Sequence, residues 1–243
     1  MTDFVKACIK ANEEIASKIR DGLDGSLFEK GKIGAGGDIS TGIDLFAEEV
    51  LVRHLGSFGR IESEESGVIG DGGATIIIDP IDGSSNALSG FPYFGTSIAR
   101  INENGILDTA IICNLASSEV FIKEGKEKPM QGKLFSEHFC SIKTVPNPEI
   151  GLFERGYAFA PLVLELKDAG LKFRSPGATA LSLAYAHSVS FFLFAGPSRI
   201  YDIVAGLALC EDLEVIVEEE YVIVSQSKDI AKKLEIIVRR SIG

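Results

Sequence analysis

The sequence predicts an α/β fold in which helices and strands are layered on one another. Two observations carry this. Ile76-Ile77-Ile78, following Ala74-Thr75, is too short and too β-branched for a helix and reads as a buried strand. Later in the chain, strands near residues 139–143, 171–174, 189–195 and 213–217 interleave with helices near 162–169, 178–186, 201–209 and 229–238, an alternation that predicts stacked α and β layers. With 243 residues, 45% of them hydrophobic, the chain can build one sizeable core or two small, closely joined subdomains. The charged, aperiodic stretch 124–133 predicts a loop and the boundary between them, giving units 1–130 and 131–243.

Taken in order, Phe4, Cys8, Ala11, Ile15 and Ile19 recur every three to four positions and predict an amphipathic helix, ended by Asp21-Gly22-Leu23-Asp24-Gly25. Residues 27–33 read as a strand leading into the turn Gly34-Ala35-Gly36-Gly37. No Gly-Lys-Ser/Thr follows it, so it is not a nucleotide phosphate loop. A second helix carries Leu45, Val50, Leu51 and Leu55, with Asp44 placed as its N-cap. Residues 58–61 form a short strand before Glu62-Ser63-Glu64-Glu65, which taken alone is a solvated acidic face. Residues 105–113 and 119–122 are further strands, and Glu218-Glu219-Glu220 is a solvated turn.

Composition narrows the function. A net charge of −11 argues against a nucleic-acid surface. No apolar run approaches the roughly 20 residues that cross a bilayer. Met1-Thr2-Asp3-Phe4-Val5-Lys6 lacks the basic start and apolar core of a signal peptide, so a cytoplasmic protein is expected. Cys8, Cys113, Cys140 and Cys210 form no Cys-x-x-Cys pair and are expected to be buried thiols, and His54, His138 and His187 are too scattered for a histidine centre.

The chemistry concentrates after the isoleucine strand, in Asp79-Pro80-Ile81-Asp82-Gly83-Ser84-Ser85-Asn86. Pro80 fixes its own φ and keeps Asp79 extended, so the chain can turn both carboxylates and the Ile81 carbonyl to one side. These are hard oxygen ligands of the kind Mg²⁺ takes. Gly83 to Asn86 reads as the start of a short helix whose free N–H groups can receive a phosphate. An Asp-rich turn is the alternative reading of the same string.

Asp-Pro-Ile-Asp-Gly-Ser with its preceding strand resembles the signature of the inositol monophosphatase and fructose-1,6-bisphosphatase superfamily of Mg²⁺-dependent, lithium-sensitive phosphatases. Asp38-Ile39-Ser40-Thr41-Gly42-Ile43-Asp44, Glu64-Glu65-Ser66, Arg174-Ser175-Pro176-Gly177-Ala178 and Tyr201-Asp202-Ile203-Val204-Ala205-Gly206 extend the resemblance over most of the chain. It implies an αβαβα sandwich of the sugar-phosphatase type. It further implies that Glu64, Asp79, Asp82, Asp202 and the Ile81 carbonyl hold two or three Mg²⁺ ions, with Mn²⁺ able to substitute. Asp44 and Ser84 would then activate water, with Glu65 an outer carboxylate and Asp38 a weaker candidate. Gly83 and Ser84 would bind phosphate, and Ser85, Arg174, Gly177, Ala178 and Arg199 the rest of the substrate; Arg174 read alone is equally a surface charge. Ser84 stands where the family usually has Thr, Tyr201 for the usual Trp, and Val204 for an Ala.

Inositol-specific members carry a Glu where Ala195 stands here, and Arg199 lies nearby instead. The resemblance therefore points to fructose 1,6-bisphosphate, with or without inositol 1-phosphate, as in archaeal dual-activity members. A bisphosphate nucleotidase and a catalytically silent sugar-phosphate binder are the alternatives. Family members are commonly homodimers or homotetramers.

Overall fold

The computed structural model describes residues 1–242. In chain order the elements are α1 (Asp3–Asp21), the hairpin β1 (Lys30–Ile33) and β2 (Ile39–Thr41), α2 (Gly42–Leu55), β3 (Arg60–Ser63), β4 (Gly67–Ile69), β5 (Thr75–Asp82) and α3 (Ser84–Leu88). There follow β6 (Gly95–Ile101), β7 (Leu107–Asn114), β8 (Glu119–Glu124), β9 (Met130–Lys133), β10 (Phe139–Ser141) and β11 (Gly151–Glu154). The chain continues through α4 (Ala160–Asp168), β12 (Phe173–Arg174), α5 (Thr179–Ala184), β13 (Phe192–Ala195), α6 (Ile200–Leu209), β14 (Glu214–Glu218), β15 (Tyr221–Ser225) and α7 (Lys228–Ile242).

An eight-stranded sheet has the order β10-β9-β8-β7-β6-β5-β3-β4 and is antiparallel except where β3 runs parallel to β5. A five-stranded sheet has the order β12-β11-β13-β15-β14, parallel at β12-β11-β13 and antiparallel beyond. Alternation along β5 explains its isoleucines, because successive side chains leave opposite faces of a strand. Ile76 and Ile78 pack with Phe4, Cys8 and Ile15 of α1 and Leu51 of α2. Ile77 points the other way, into Leu181 and Ala184 of α5 and Ala205 and Leu209 of α6. The α5–α6 layer is shared: Leu183 meets Phe192, Phe194 and Val222 of the second sheet. The far face of that sheet, through Phe153, Leu193 and Ile223, is covered by Leu162 and Leu166 of α4 and Leu234 and Val238 of α7. The result is the α/β/α/β/α layering expected of the fold.

Several local expectations need correction. Residues 27–33 are not one strand, since Gly25–Phe28 form a 3₁₀ turn before β1. Leu45 is 44% exposed, and the inward stripe of α2 is Ile43, Ala47, Val50, Leu51 and Leu55. Stretch 124–133 is not all loop: β9 pairs with β8 and with β10, so the first sheet runs on to Ser141. We propose that the two units divide after Ser141 and not at residue 130. Cys8, Cys113 and Cys210 are buried thiols, whereas Cys140 is exposed on an edge strand. No helix among the described residues is long and apolar enough to cross a membrane.

At Gly206 α6 packs tightly on α5, because a Cβ there would sit 2.4 Å from Leu183 Cβ. Gly206→Ala is expected to destabilise the protein by about 1–3 kcal/mol through overpacking. Leu183→Ala in the same chain should recover part of that loss in denaturant melts. Equal additive losses from the two changes would contradict the contact.

Candidate functional site

The site is built at the end of β5. In a regular strand, residues three apart face opposite sides. Here the β5–β6 register slips by one, with Asp79 opposite Ser97 but Asp82 opposite Gly95. That bulge restores the phase, so Asp79 and Asp82 line the same cavity. Pro80, which has no N–H for the ladder, sits inside the interruption. Gly83 then adopts a left-handed conformation at φ 89°, ψ 41° and turns the chain into α3. The first-turn N–H groups of α3, those of Ser84 and Ser85, have no intrahelical acceptor.

The cavity has a volume of about 840 Å³ and is lined by eight carboxylates against three basic side chains, Lys30, Arg155 and Arg199. Glu64, Asp79 and Asp202 each offer an oxygen within 4.8 Å of the others. Three buried carboxylates converging on one point, with no histidine or thiolate among them, form a donor set suited to a hard divalent cation. Burial drives Asp79 well above the usual carboxylate range, and the neighbouring charges of Glu64, Asp82 and Asp202 add to the shift. Burial also pushes Glu64 up to about 7, against the opposing pull of Arg199.

Asp82 is placed differently from its neighbours. Its two oxygens accept the backbone N–H groups of Thr179 at 2.8 Å and Leu181 at 2.7 Å, so it caps the start of α5 from 97 residues away. Each oxygen keeps a second lone pair, but Asp82 lies outside the convergent trio.

Asp44 is not the N-cap of α2. Thr41 occupies that position, with extended backbone, and Asp44 sits one turn in, accepting the Thr41 N–H at 2.7 Å and hydroxyl at 2.6 Å on Oδ2. Its other oxygen accepts the Ser84 hydroxyl at 2.5 Å. The Ile81 carbonyl lies 2.9 Å from the same hydroxyl, which has one proton to give, and the carboxylate is the stronger acceptor. Burial raises the Asp44 pKa despite these donors.

The acidic pair is held beneath the glycine turn, whose Ala35 and Gly36 N–H groups donate to the carbonyls of Glu65 and Glu64. A Cβ on Gly36 would come within 2.5 Å of Glu64 Cγ, which explains the glycine. Ser40 donates its hydroxyl to Glu65, whose carboxyl is also raised, chiefly by burial.

Of the residues expected to meet the rest of a substrate, Ser85 and Gly177 line the cavity. Ala178 is buried behind it, and a Cβ at Gly83 would approach its methyl to 3.1 Å. Arg174 is exposed on β12 and donates to the Phe173 carbonyl at 2.8 Å, away from the cavity. Arg199 lines the cavity, but its guanidinium is turned into Asp38, Glu64 and Asp202 instead of presenting an open face. Glu154 and Arg155 are among the lining residues that were not anticipated. Glu154, at the end of β11, accepts the Gly177 N–H at 2.9 Å and the Ser182 hydroxyl. Arg155 follows in a left-handed conformation, its guanidinium 5.6 Å from the Phe194 ring centroid.

The layered α/β architecture frames, at the junction of its sheets, an acidic cavity whose donor set suits a hard divalent cation. The chain belongs to the inositol monophosphatase family, whose model matches residues 1–217. It is 29% identical to the bifunctional NADP phosphatase/NAD kinase of Methanocaldococcus jannaschii over 98% of this chain, and spans about half (47%) of that protein's length. The fructose-1,6-bisphosphatase/inositol-1-monophosphatase of Methanothermobacter thermautotrophicus is 31% identical over 78% of this chain and 74% of its own. Thermotoga maritima IMPase superposes with a TM-score of 0.79 at 23% identity, covering 98% of this chain and 99% of that one.

Glu64 provides a pH test of the cluster. Its carboxyl titrates near 7 in the folded protein, against an ordinary value of 4.5. Between these values the folded state holds more protons than the unfolded state, so stability falls as pH rises. Thermal melts in EDTA should therefore show a decreasing Tm from pH 5 to pH 8, and saturating divalent cation at pH 8 should reverse the decrease. A Tm that rises across this window in EDTA would rule out the assignment.

Proposed function

We propose that this protein is a Mg²⁺-dependent phosphatase that hydrolyses sugar or inositol phosphate monoesters. The observation that carries the reading is the Ser84–Asp44 hydrogen bond, 2.5 Å long, in the same cavity as the convergent Glu64, Asp79 and Asp202. Those three carboxylates, with the Ile81 carbonyl and a free lone pair of Asp82, would hold the metal. Bound Mg²⁺ supplies positive charge against the phosphate and acidifies water, with Mn²⁺ able to substitute.

The chain's own groups do the rest. Ser84 donates its hydrogen bond to Asp44, which leaves its oxygen lone pairs free to accept a proton from a water in the cavity. As that water attacks phosphorus, its proton passes to Ser84 and the serine proton to Asp44, while the bond from phosphorus to the ester oxygen breaks and that oxygen leaves with the electron pair, taking a proton from a second water to depart as the alcohol. Asp44 is suited to receive it, since burial raises its affinity for a proton. The N–H groups of Gly83 and Ser84 would receive the phosphate oxygens and stabilise charge there. Glu65, steadied by Ser40, would act as an outer carboxylate of the site.

A cavity of about 840 Å³ is roomy for a sugar bisphosphate, and Lys30 and Arg155 on its wall can meet a second phosphate. Fructose 1,6-bisphosphate and inositol 1-phosphate are the preferred substrates on this reading. Tyr157, 86% exposed beside Arg155 on the cavity wall, favours a second reading in which a nucleotide base stacks on it and a ribose phosphate is removed. The relative named as an NADP phosphatase makes NADP the nucleotide to try. Assembly as a homodimer or homotetramer belongs to the same proposal.

The test is phosphate release from fructose 1,6-bisphosphate, inositol 1-phosphate and NADP, each with Mg²⁺ and with EDTA. Turnover of at least one, abolished by EDTA, is expected. Ser84→Ala should lower kcat by roughly 10²–10⁴-fold with little change in KM. Ser84→Thr, which keeps the hydroxyl, should stay within about tenfold of wild type. A Ser84→Ala protein of undiminished kcat, or activity untouched by EDTA, would defeat the proposal.

A further inference from the structure

Arg199 sits just before α6, three residues ahead of Asp202. Its Nε and Nη2 donate to the two oxygens of Asp202 at 2.9 and 3.1 Å, a bidentate pair. Nη1 donates to Asp38 Oδ2 at 2.7 Å and the Gly36 carbonyl at 3.1 Å, and lies 2.7 Å from Glu64 Oε1 as an ion pair. Glu64 and Asp202 are two of the three carboxylates whose oxygens converge within 4.8 Å. The guanidinium therefore already supplies the positive charge that this cluster needs, from inside the chain.

A divalent ion drawn to the same oxygens must share them with a fixed cation a few ångströms away, and like charges at that distance repel. We propose that Arg199 is a built-in counter-ion that holds the carboxylate cluster in the metal-free protein and swings out when a divalent cation enters. Metal affinity is then set by competition between the two. The same movement loosens the glycine turn, because Gly36 and Asp38 share Nη1 with Glu64. This rests on the metal-binding reading given above. The opposite role for the same contacts is a scaffold, in which Arg199 positions Glu64 and Asp202 for the ion, and the two roles predict effects of opposite sign.

The experiment is calorimetric titration of Mg²⁺ into the metal-free full-length wild type, Arg199→Gln and Arg199→Lys, paired with thermal melts in EDTA and in saturating Mg²⁺. A guanidinium that occupies the cluster nine-tenths of the time weakens apparent affinity about tenfold, so Arg199→Gln should bind Mg²⁺ about tenfold more tightly. Arg199→Lys should fall between, since an ammonium keeps the charge and loses the bidentate fork. In EDTA the Gln variant should melt below wild type, and Mg²⁺ should raise its Tm by more than it raises that of wild type. Should the Gln variant fail to fold in EDTA, tighter binding by the Lys variant carries the comparison. Binding by either folded variant that equals or falls below wild type overturns the counter-ion role while leaving the metal site standing. Binding by none of the three proteins, wild type included, overturns the metal reading and this one together.

Discussion

Electrostatic repulsion among carboxylates at the end of β5 is the constraint around which this molecule is built. Glu64, Asp79, Asp82 and Asp202 are all buried. Two unit charges about 4 Å apart interact by roughly 4 kcal/mol even at an effective dielectric near 20. Four such groups left bare would rival the whole stability of a domain, which is only about 5–15 kcal/mol. The fold answers in three ways: α5 gives two N–H groups to Asp82, Arg199 clamps Glu64 and Asp202, and Glu64 and Asp79 shift upward to hold protons.

Those answers come from both halves of the chain, which is why the cavity lies at their junction. The first sheet supplies the bulged strand and the acidic pair, and α2 supplies Asp44 to Ser84. The second half supplies α5 and α6, wedged between the two sheets. Asn86 fastens the joint by donating its amide to the Tyr93 carbonyl at 2.7 Å and the Pro176 carbonyl at 2.8 Å. Tyr93 and Ser182 meet across the same seam at 3.0 Å, and Ser182 also binds Glu154. A change at the α5–α6 contact thus reaches the carboxylates through the backbone that caps Asp82.

What the sequence made legible was whatever is local. The isoleucine run, the amphipathic helices and the Asp79–Asn86 string depend on neighbours a few residues away, and their physics is written in spacing. β11 and β15 went unread because Gly151 and Glu154 interrupt one apolar run and the acidic turn 218–220 masks the start of the other. The direction of the Asp82 carboxylate is set by α5, whose first N–H partner is 97 residues away, and nothing near Asp82 encodes it. Glu154 was hidden for the same reason. Its partners at Gly177 and Ser182 are brought to it only by the stacking of α5 on the second sheet. Arg199 was legible as a charge near the site, but not as one spent on three carboxylates.

The position of Arg199 in the chain, three residues ahead of Asp202, bears on the stability of the cluster as well as on binding. Asp202 is the last of the four carboxylates in sequence and is carried on α6, whereas Asp79 and Asp82 lie on β5 and Glu64 directly follows β3. A carboxylate brought alone to that place would add a fourth like charge to a buried cluster. Arg199 precedes it by three residues, a spacing that puts both on one side of the helix start. The element that completes the repulsive cluster thus carries its own compensating cation. The planar fork matters here, because it binds both oxygens of Asp202 and still reaches Glu64 with its remaining nitrogen. A lysine ammonium is a point charge without that geometry. The charge that lets the site fold is therefore held on a side chain 35% exposed at the cavity wall, where a long flexible stem leaves it room to move.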